Sequence, residues 1–278
     1  MPAPHDQRLH TTSGEALAEA RTVTALTVAY DGAAFLGFAR QPSASTVQGR
    51  LESALATVCR RDVVTVGAGR TDAGVHALGQ VVSFAAERGD PDGAALLRSV
   101  NALAGPDIAV TGVRRAVQGF SARFDAVERE YRYRIVNGPV PPLFVRDVVW
   151  WVKRPLDVEA MRSAASALLG EHDFRSFCVA ESAQGKRTVR EIRTLELFEQ
   201  EELGESCLVV RVVGNAFLHA MVRTIVGTLA EVGAGRRDAT WTAVALAAQR
   251  RDAAGPTAPA CGLTLWRVEY PESVWLAE

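Results

Sequence analysis

Apolar residues follow two regular spacings in the first part of the chain. From Thr46, they return every three or four positions at Val47, Leu51, Leu55 and Val58, as on one face of a helix. Other short apolar runs end at Gly, Asp or Asn, which is typical of strands. Before residue 120 we predict strands over 22–32, 63–66, 80–84 and 107–116 and helices over 46–59 and 91–103.

The same order of elements recurs in the second part. We predict strands over 129–137, 188–198, 207–214 and 262–270 and helices over 156–170, closed by Gly170, and 216–233. The repeated order predicts an α+β fold of two similar halves, with mixed or antiparallel sheets flanked by helices. We expect a disordered N-terminal tail over 1–21, a first half over 22–120 that carries the loop described below, and a second half over 121–272.

Composition narrows the class of protein. The chain has 278 residues, of which 48% are hydrophobic, enough for a sizeable core. Because no apolar run approaches the ~18 residues of a membrane helix and no signal-like segment occurs, we expect a cytoplasmic protein without membrane contact. The four cysteines are widely spaced, which favours reduced, mostly buried thiols over a zinc site or disulfides.

The charge pattern leaves the question of nucleic acid open. Formal net charge is -1, yet Lys153 and Lys186 are the only lysines among 31 Lys and Arg residues. Arginine suits phosphate contacts and base stacking, although coding bias in an Ala-rich chain would give the same excess.

A glycine-rich loop separates two of the predicted strands and carries the candidate chemistry. In "VTVGAGRTDAGVHALGQ" the residue that would have to be glycine in a dinucleotide loop is Asp72. Phosphate-loop, serine-hydrolase and zinc-protease motifs are absent from the sequence. Asp72, two residues after Arg70, can serve as a nucleophile or base, or it can simply shape the turn before Gly74. His76 is a weaker candidate, since a lone His is more often packed or at the surface.

The loop sequence "GRTDAGVHA" resembles the signature of the tRNA pseudouridine synthase A family. Further stretches resemble that family in the same order, among them "TVQGRLESAL", "FSARFDAVEREYRYRI", "GEHDFRSF" and "GNAFLHAMVRTIVGTLAEVGAGRR", and the resemblance covers about 23–271. The chain departs from the family at Gly37-Phe38-Ala39, where Gly-Trp-Gln is common.

This resemblance implies an isomerase that converts uridine to pseudouridine on the 3' side of the tRNA anticodon arm. It implies Asp72 as the catalytic carboxylate, Arg70 as the residue that helps to displace the base, Tyr131 as the residue that packs on the target base, and Arg223 beside the aspartate. It also implies a catalytic cleft between the halves, no cofactor or metal, tRNA as the partner, and a homodimer.

The residue patterns alone give plainer interpretations of two of these positions. Tyr131 and Tyr133 alternate along a strand as core residues usually do. Arg223 lies off the apolar stripe of its helix, which favours a solvent-facing side chain, whereas the resemblance places it at the site. For Arg70, a structural ion pair is the alternative.

Two other functions compete with this one. A non-catalytic RNA-binding module would explain basic and aromatic strands but gives no role to Asp72; a dinucleotide-dependent enzyme is a poorer third. Since net charge is near zero, RNA binding must rest on local basic surfaces. The candidate residues are Arg114, Arg115, Arg132 and Arg134 in one part of the chain and Lys186, Arg187 and Arg190 in another.

Overall fold

The computed structural model describes residues 22–277, so the predicted tail over 1–21 lies outside the described residues. The strands are β1 Val23–Tyr30, β2 Val66–Gly67, β3 His76–Ala85, β4 Ile108–Ala116, β5 Glu128–Asn137, β6 Trp150–Val152, β7 Gly170–Asp173, β8 Val189–Glu202, β9 Glu205–Gly214 and β10 Leu263–Glu269. The α-helices are α1 Val47–Cys59, α2 Gly93–Ala104, α3 Val158–Ala165, α4 Ala180–Ala183, α5 Met221–Gly233 and α6 Trp241–Ala248. Both element types are interleaved throughout, which confirms the α+β class.

The described residues divide into two compact units. The first contains 22–127 and 266–277, and the second contains 128–265. The chain therefore passes from the second unit back into the first within β10. The predicted halves, 22–120 and 121–272, were drawn as continuous segments, whereas the first unit is built from two separate segments.

The first unit is organised around an antiparallel sheet in the order β4, β1, β3, with β2 on β3. Its register pairs Leu26 of β1 with Val82 of β3 and with Val113 of β4. Helices α1 and α2 contact each other, and α2 contacts β4. Leu26, Leu51 and Phe84 are fully buried, so strand and helix share one core.

Helix α1 shows how local sequence fixes an element of this unit. The Thr46 side chain accepts a hydrogen bond from Gly49 N at 3.3 Å, which caps the helix. Val47, Leu51 and Leu55 are buried as their spacing predicts. Glu52 is buried on the same helix and accepts a hydrogen bond from Thr65 N at 2.9 Å. This bond ties α1 to the segment that leads into β2.

The second unit has a mixed sheet in the order β5, β9, β8, β7. These neighbours are antiparallel, while β6 runs parallel to β5. Helices α3, α5 and α6 contact one another, and α3 contacts β8. The largest buried side chains of this core are Tyr133, Ile135, Met161, Leu168, Phe174 and Phe177.

Several predicted boundaries were wrong. The helix predicted over 216–233 begins at Met221, because Ala220 has φ 59 and a right-handed helix cannot continue through it. The strand predicted over 63–66 is reduced to β2. The helix predicted to close at Gly170 ends as an α-helix at Ala165 and continues as a 3₁₀ turn over Ser166–Leu168. Helix α6 and strand β6 were not predicted.

Within residues 22–277 no helix is long and apolar enough to cross a membrane. The cytoplasmic location stays a prediction. The cysteines are free thiols, and Cys178 and Cys207 are buried. In the same range no group of three or more His, Cys, Asp or Glu is placed to hold a metal ion.

Candidate functional site

The loop that carries Arg70 and Asp72 links β2 to β3 in the first unit. It starts at Gly67, where a Cβ would overlap the ring of Phe38. Phe38 is 2% exposed and packs against Tyr30, with ring centroids 6.4 Å apart. The aromatic residue at the family's Trp position thus seals the base of the loop, and glycine is required opposite it.

Two buried side chains hold the middle of the loop. The Tyr30 hydroxyl lies 2.8 Å from Oγ1 of Thr71, the residue between Arg70 and Asp72. Gln80 of β3 donates from Nε2 to Gly69 O at 2.8 Å. Burial raises the pKa of Tyr30 from 10.0 to about 12, so its hydroxyl keeps its proton at neutral pH.

A tight turn follows at Asp72. Val75 N donates to the Asp72 backbone carbonyl at 3.2 Å, and Gly74 has φ 76, as the third residue of a type II turn requires. The backbone carbonyl of Asp72 closes this turn. Asp72 is half-buried and Arg70 is exposed. The structure therefore presents both side chains on a loop whose backbone is fixed by other residues.

His76 is a packed residue at the start of β3. It is 6% exposed, its Nδ1 accepts a hydrogen bond from Gly32 N at 3.2 Å, and the same atom lies 3.1 Å from Asp31 Oδ1. These contacts join the end of the loop to the turn after β1. This arrangement supports a structural role for His76 as a packed residue.

Tyr131 and Arg223 belong to the second unit. Tyr131 lies in β5 opposite Val212 of β9, is 7% exposed, and packs edge to face on Phe217 with ring centroids 5.1 Å apart. Tyr133, two residues on, is fully buried and donates its hydroxyl to Pro259 O at 2.8 Å. Tyr133 is thus the core residue that strand alternation predicts.

Arg223 lies in the first turn of α5 and is half-buried. Its Nε donates to Ala258 O at 2.8 Å, and its own carbonyl accepts from Ala258 N at 3.1 Å. The helical spacing favours a solvent-facing side chain, and the structure shows one that is half-buried, with its Nε edge bonded to Ala258. The segment that contains Ala258 covers this side of the helix.

Sequence reasoning missed the residues that support the candidate side chains. Phe217, which packs on Tyr131, was assigned to a helix but lies before it. Tyr30 and Gln80 carry no motif of their own. They are found only when the distances to Thr71 and Gly69 are measured.

Comparison with known proteins defines the family. The model of the tRNA pseudouridine synthase family matches residues 26–125 and 164–271. The chain belongs to this family. A tRNA pseudouridine synthase A of Brevibacillus brevis is 45% identical over 244 residues, covering 87% of this chain and 97% of that one. Those of Hydrogenovibrio crunogenus and Myxococcus xanthus are 42% and 44% identical and cover 91% and 88% of this chain.

As a member of this family, the protein is an isomerase that acts on tRNA. Arg70, Asp72 and Arg223 fall within the residues that the family model matches, and Tyr131 falls between the two matched segments.

Proposed function

We propose that this protein converts uridine to pseudouridine on the 3' side of the tRNA anticodon arm, with Asp72 as the catalytic carboxylate. The observation that carries the proposal is the loop that presents Asp72. The Tyr30 hydroxyl on Thr71, the Gln80 amide on Gly69 O and the turn at Gly74 hold this loop, so the residue that carries the carboxylate has a fixed position. A positioned carboxylate of this kind suits nucleophilic or general-base chemistry.

The reaction is an isomerisation, so every atom of the uracil is retained except one exchanged hydrogen. The bond between ribose C1' and uracil N1 breaks, and a bond between C1' and C5 forms. The hydrogen on C5 leaves as a proton, and N1 gains one. Asp72 attacks C1', attacks C6, or assists departure of the base; each of these is compatible with a half-buried carboxylate.

Three other side chains have proposed roles toward the target nucleotide. Arg70 is exposed beside Asp72, so it can enter the space that the extruded base leaves, a step that costs a few kcal/mol. Tyr131 packs on the base, supported from its edge by Phe217. Arg223 supplies a cation that favours the charged carboxylate. The hydrogen bond from Arg223 Nε to Ala258 O fixes the orientation of the Arg223 guanidinium.

We further propose that the active form is a homodimer that binds one tRNA across both copies. The protein has a net charge of -1, so its affinity for a polyanion must come from concentrated basic surfaces. A second copy brings a second set of such surfaces within reach of one RNA.

Tritium release tests the activity and the position together. Unmodified tRNA transcript labelled with tritium at uridine C5 is incubated with the protein, and tritium in water is counted. We expect release, and we expect pseudouridine mapped afterwards to lie on the 3' side of the anticodon arm. Release with product only elsewhere would overturn the position, and binding of tRNA without any release would favour the RNA-binding module.

A further inference from the structure

Arg190 of β8 has an unusual environment in the second unit. It is half-buried opposite His172 of β7, and its Nη1 donates to the carbonyls of Arg187 at 3.0 Å and Val189 at 2.6 Å. Its Nε is buried and has no hydrogen-bond partner among the described residues. Nη1 is thus anchored, while the buried Nε has no acceptor within residues 22–277.

The neighbouring arginines on the same sheet are neutralised by carboxylates. Arg132 pairs with Glu130 at 2.8 Å, Arg134 pairs with Glu202 at 2.7 Å, and Arg211 lies 3.2 Å from Glu130. Arg190 has no carboxylate within ion-pair distance in the described part of the chain. A partly buried cation without a counter-ion is unfavourable in the free protein, which indicates that an external anion completes it.

Further positive charge surrounds Arg190. Burial lowers its pKa, and the charges of Arg187 and Arg129 act in the same direction. Arg187 is 75% exposed and reaches Glu171 only at 4.0 Å, a pair that solvent screens strongly. Lys186 is exposed on the same turn. The cluster therefore concentrates like charges instead of neutralising them.

We infer that Arg190, with Arg187 and Lys186 beside it, binds a backbone phosphate of the tRNA. A guanidinium keeps its charge and offers N–H donors that suit the oxygens of a phosphate. A phosphate bound at the exposed part of this half-buried side chain would supply the missing counter-ion and would offset the repulsion among the arginines. This inference rests on the proposed function only for the identity of the RNA, since any phosphodiester provides the same oxygens.

Phosphate-ethylation interference tests this site directly. End-labelled tRNA is ethylated at about one phosphate per molecule, bound by the protein, and the excluded positions are mapped. With Arg190→Gln we expect that ethylation of one phosphate no longer prevents binding, while ethylation at the other positions prevents it as in the wild type. We also expect a roughly 10- to 100-fold loss of affinity at low salt and a salt slope smaller by about 1.

The control variant is Arg250→Gln, which removes an equal charge from the same unit. Arg250 is 72% exposed and pairs with Asp252 at 3.1 Å. Its interference map should equal that of the wild type. An unchanged map in Arg190→Gln, or loss of the same phosphate in Arg250→Gln, would overturn the site. The site would also be overturned if Arg190→Gln bound tRNA as the wild type does and differed only in how strongly inorganic phosphate inhibits that binding.

Folding is checked by thermal melts, because Arg190 also anchors two carbonyls. If Arg190→Gln does not fold, Arg190→Lys and Arg187→Gln replace it, and both should weaken interference at one shared phosphate. No change at any position in either variant would contradict the inference. A wild-type protein that gives the expected map without tritium release would keep the phosphate site and overturn the proposed function.

Discussion

The hydroxyl of Tyr30 lies 2.8 Å from Oγ1 of Thr71, and this bond joins the last residue of β1 to the residue between Arg70 and Asp72. Both residues are buried, at 5% and 7% exposure. A hydrogen bond shielded from water is worth more than an exposed one, because water cannot take the place of the lost partner. The placement of the loop that carries Asp72 therefore depends on a tyrosine far from it in the chain.

Tyr30→Phe should loosen this loop without emptying the core. We expect the free energy of unfolding to fall by about 1 kcal/mol and kcat to fall several-fold, with tRNA affinity nearly unchanged. Chemical denaturation and single-turnover kinetics measure the two effects. Wild-type kcat in a folded Tyr30→Phe protein would show that the bond does not position the loop.

The same substitution has a signature at alkaline pH. Burial raises the pKa of Tyr30 to about 12, so the unfolded chain loses this proton near pH 10 while the folded protein keeps it. The stability that Tyr30 contributes is therefore complete below pH 10 and falls as pH rises toward 12, by about 2–3 kcal/mol. Burial raises the pKa of Tyr133 too, but Tyr133 is present in both the wild type and Tyr30→Phe, so its contribution to stability cancels in the comparison. The advantage of about 1 kcal/mol that the wild type has over Tyr30→Phe should therefore shrink and change sign before pH 12; a constant difference would contradict the raised pKa.

Gly67→Ala should damage the base of the loop. The added methyl group would overlap the Phe38 ring, and neither side has room to move away because Phe38 is 2% exposed. We expect unfolding free energy to drop by about 1–3 kcal/mol, together with a loss of turnover. The control is Gly93→Ala in α2, where the new Cβ would lie 3.7 Å from Val113 and should be harmless. Equal effects of the two substitutions would contradict this packing argument.

Local sequence was enough to predict the elements whose boundaries are set locally. Helix α1 was predicted over 46–59 and observed over Val47–Cys59, since its cap and its apolar stripe lie within one segment. The start of α5 was misplaced because Phe217 continues the apolar spacing, yet it packs on Tyr131 and Ala220 turns left-handed. A tertiary contact decided that boundary.

In the candidate site, too, local sequence predicts some features and tertiary contacts decide the others. A glycine break between apolar runs was enough to locate the loop of Asp72. No periodic pattern pointed to Tyr30 or Gln80, because their role depends on hydrogen bonds to Thr71 and Gly69 that form only in the folded chain. The uncompensated charge of Arg190 likewise emerged only when the ion pairs of its neighbours were known.

Arg70 and Arg223 should fail in different ways. Arg70→Ala should slow base extrusion, so a tRNA with its target uridine already unpaired should restore part of the rate. Arg223→Ala should reduce the rate on both substrates to the same degree, because its proposed partner is the carboxylate. Single-turnover rates on the two tRNAs measure this. Equal losses without rescue in both variants would assign each arginine a structural role.

A mixed dimer tests the proposal that two copies share one tRNA. One chain carries Asp72→Asn and the other has Lys186, Arg187 and Arg190 replaced by Gln, with different tags for purification. If the carboxylate and the basic cluster act from different chains, one of the two sites is intact, and about half of the wild-type activity should return. A monomer in light scattering with full activity would contradict the proposal.

The most direct test of the whole account compares Asp72→Asn with Asp62→Asn in the tritium-release assay, with tRNA binding measured in parallel. Both substitutions remove one carboxylate from the first unit, and Asp62 is exposed before β2. Asp72→Asn should release no tritium above background while binding tRNA as well as the wild type does or slightly better, since a negative charge is lost. Asp62→Asn should retain full release. Near wild-type release by folded Asp72→Asn would contradict the assignment of Asp72 as the catalytic residue.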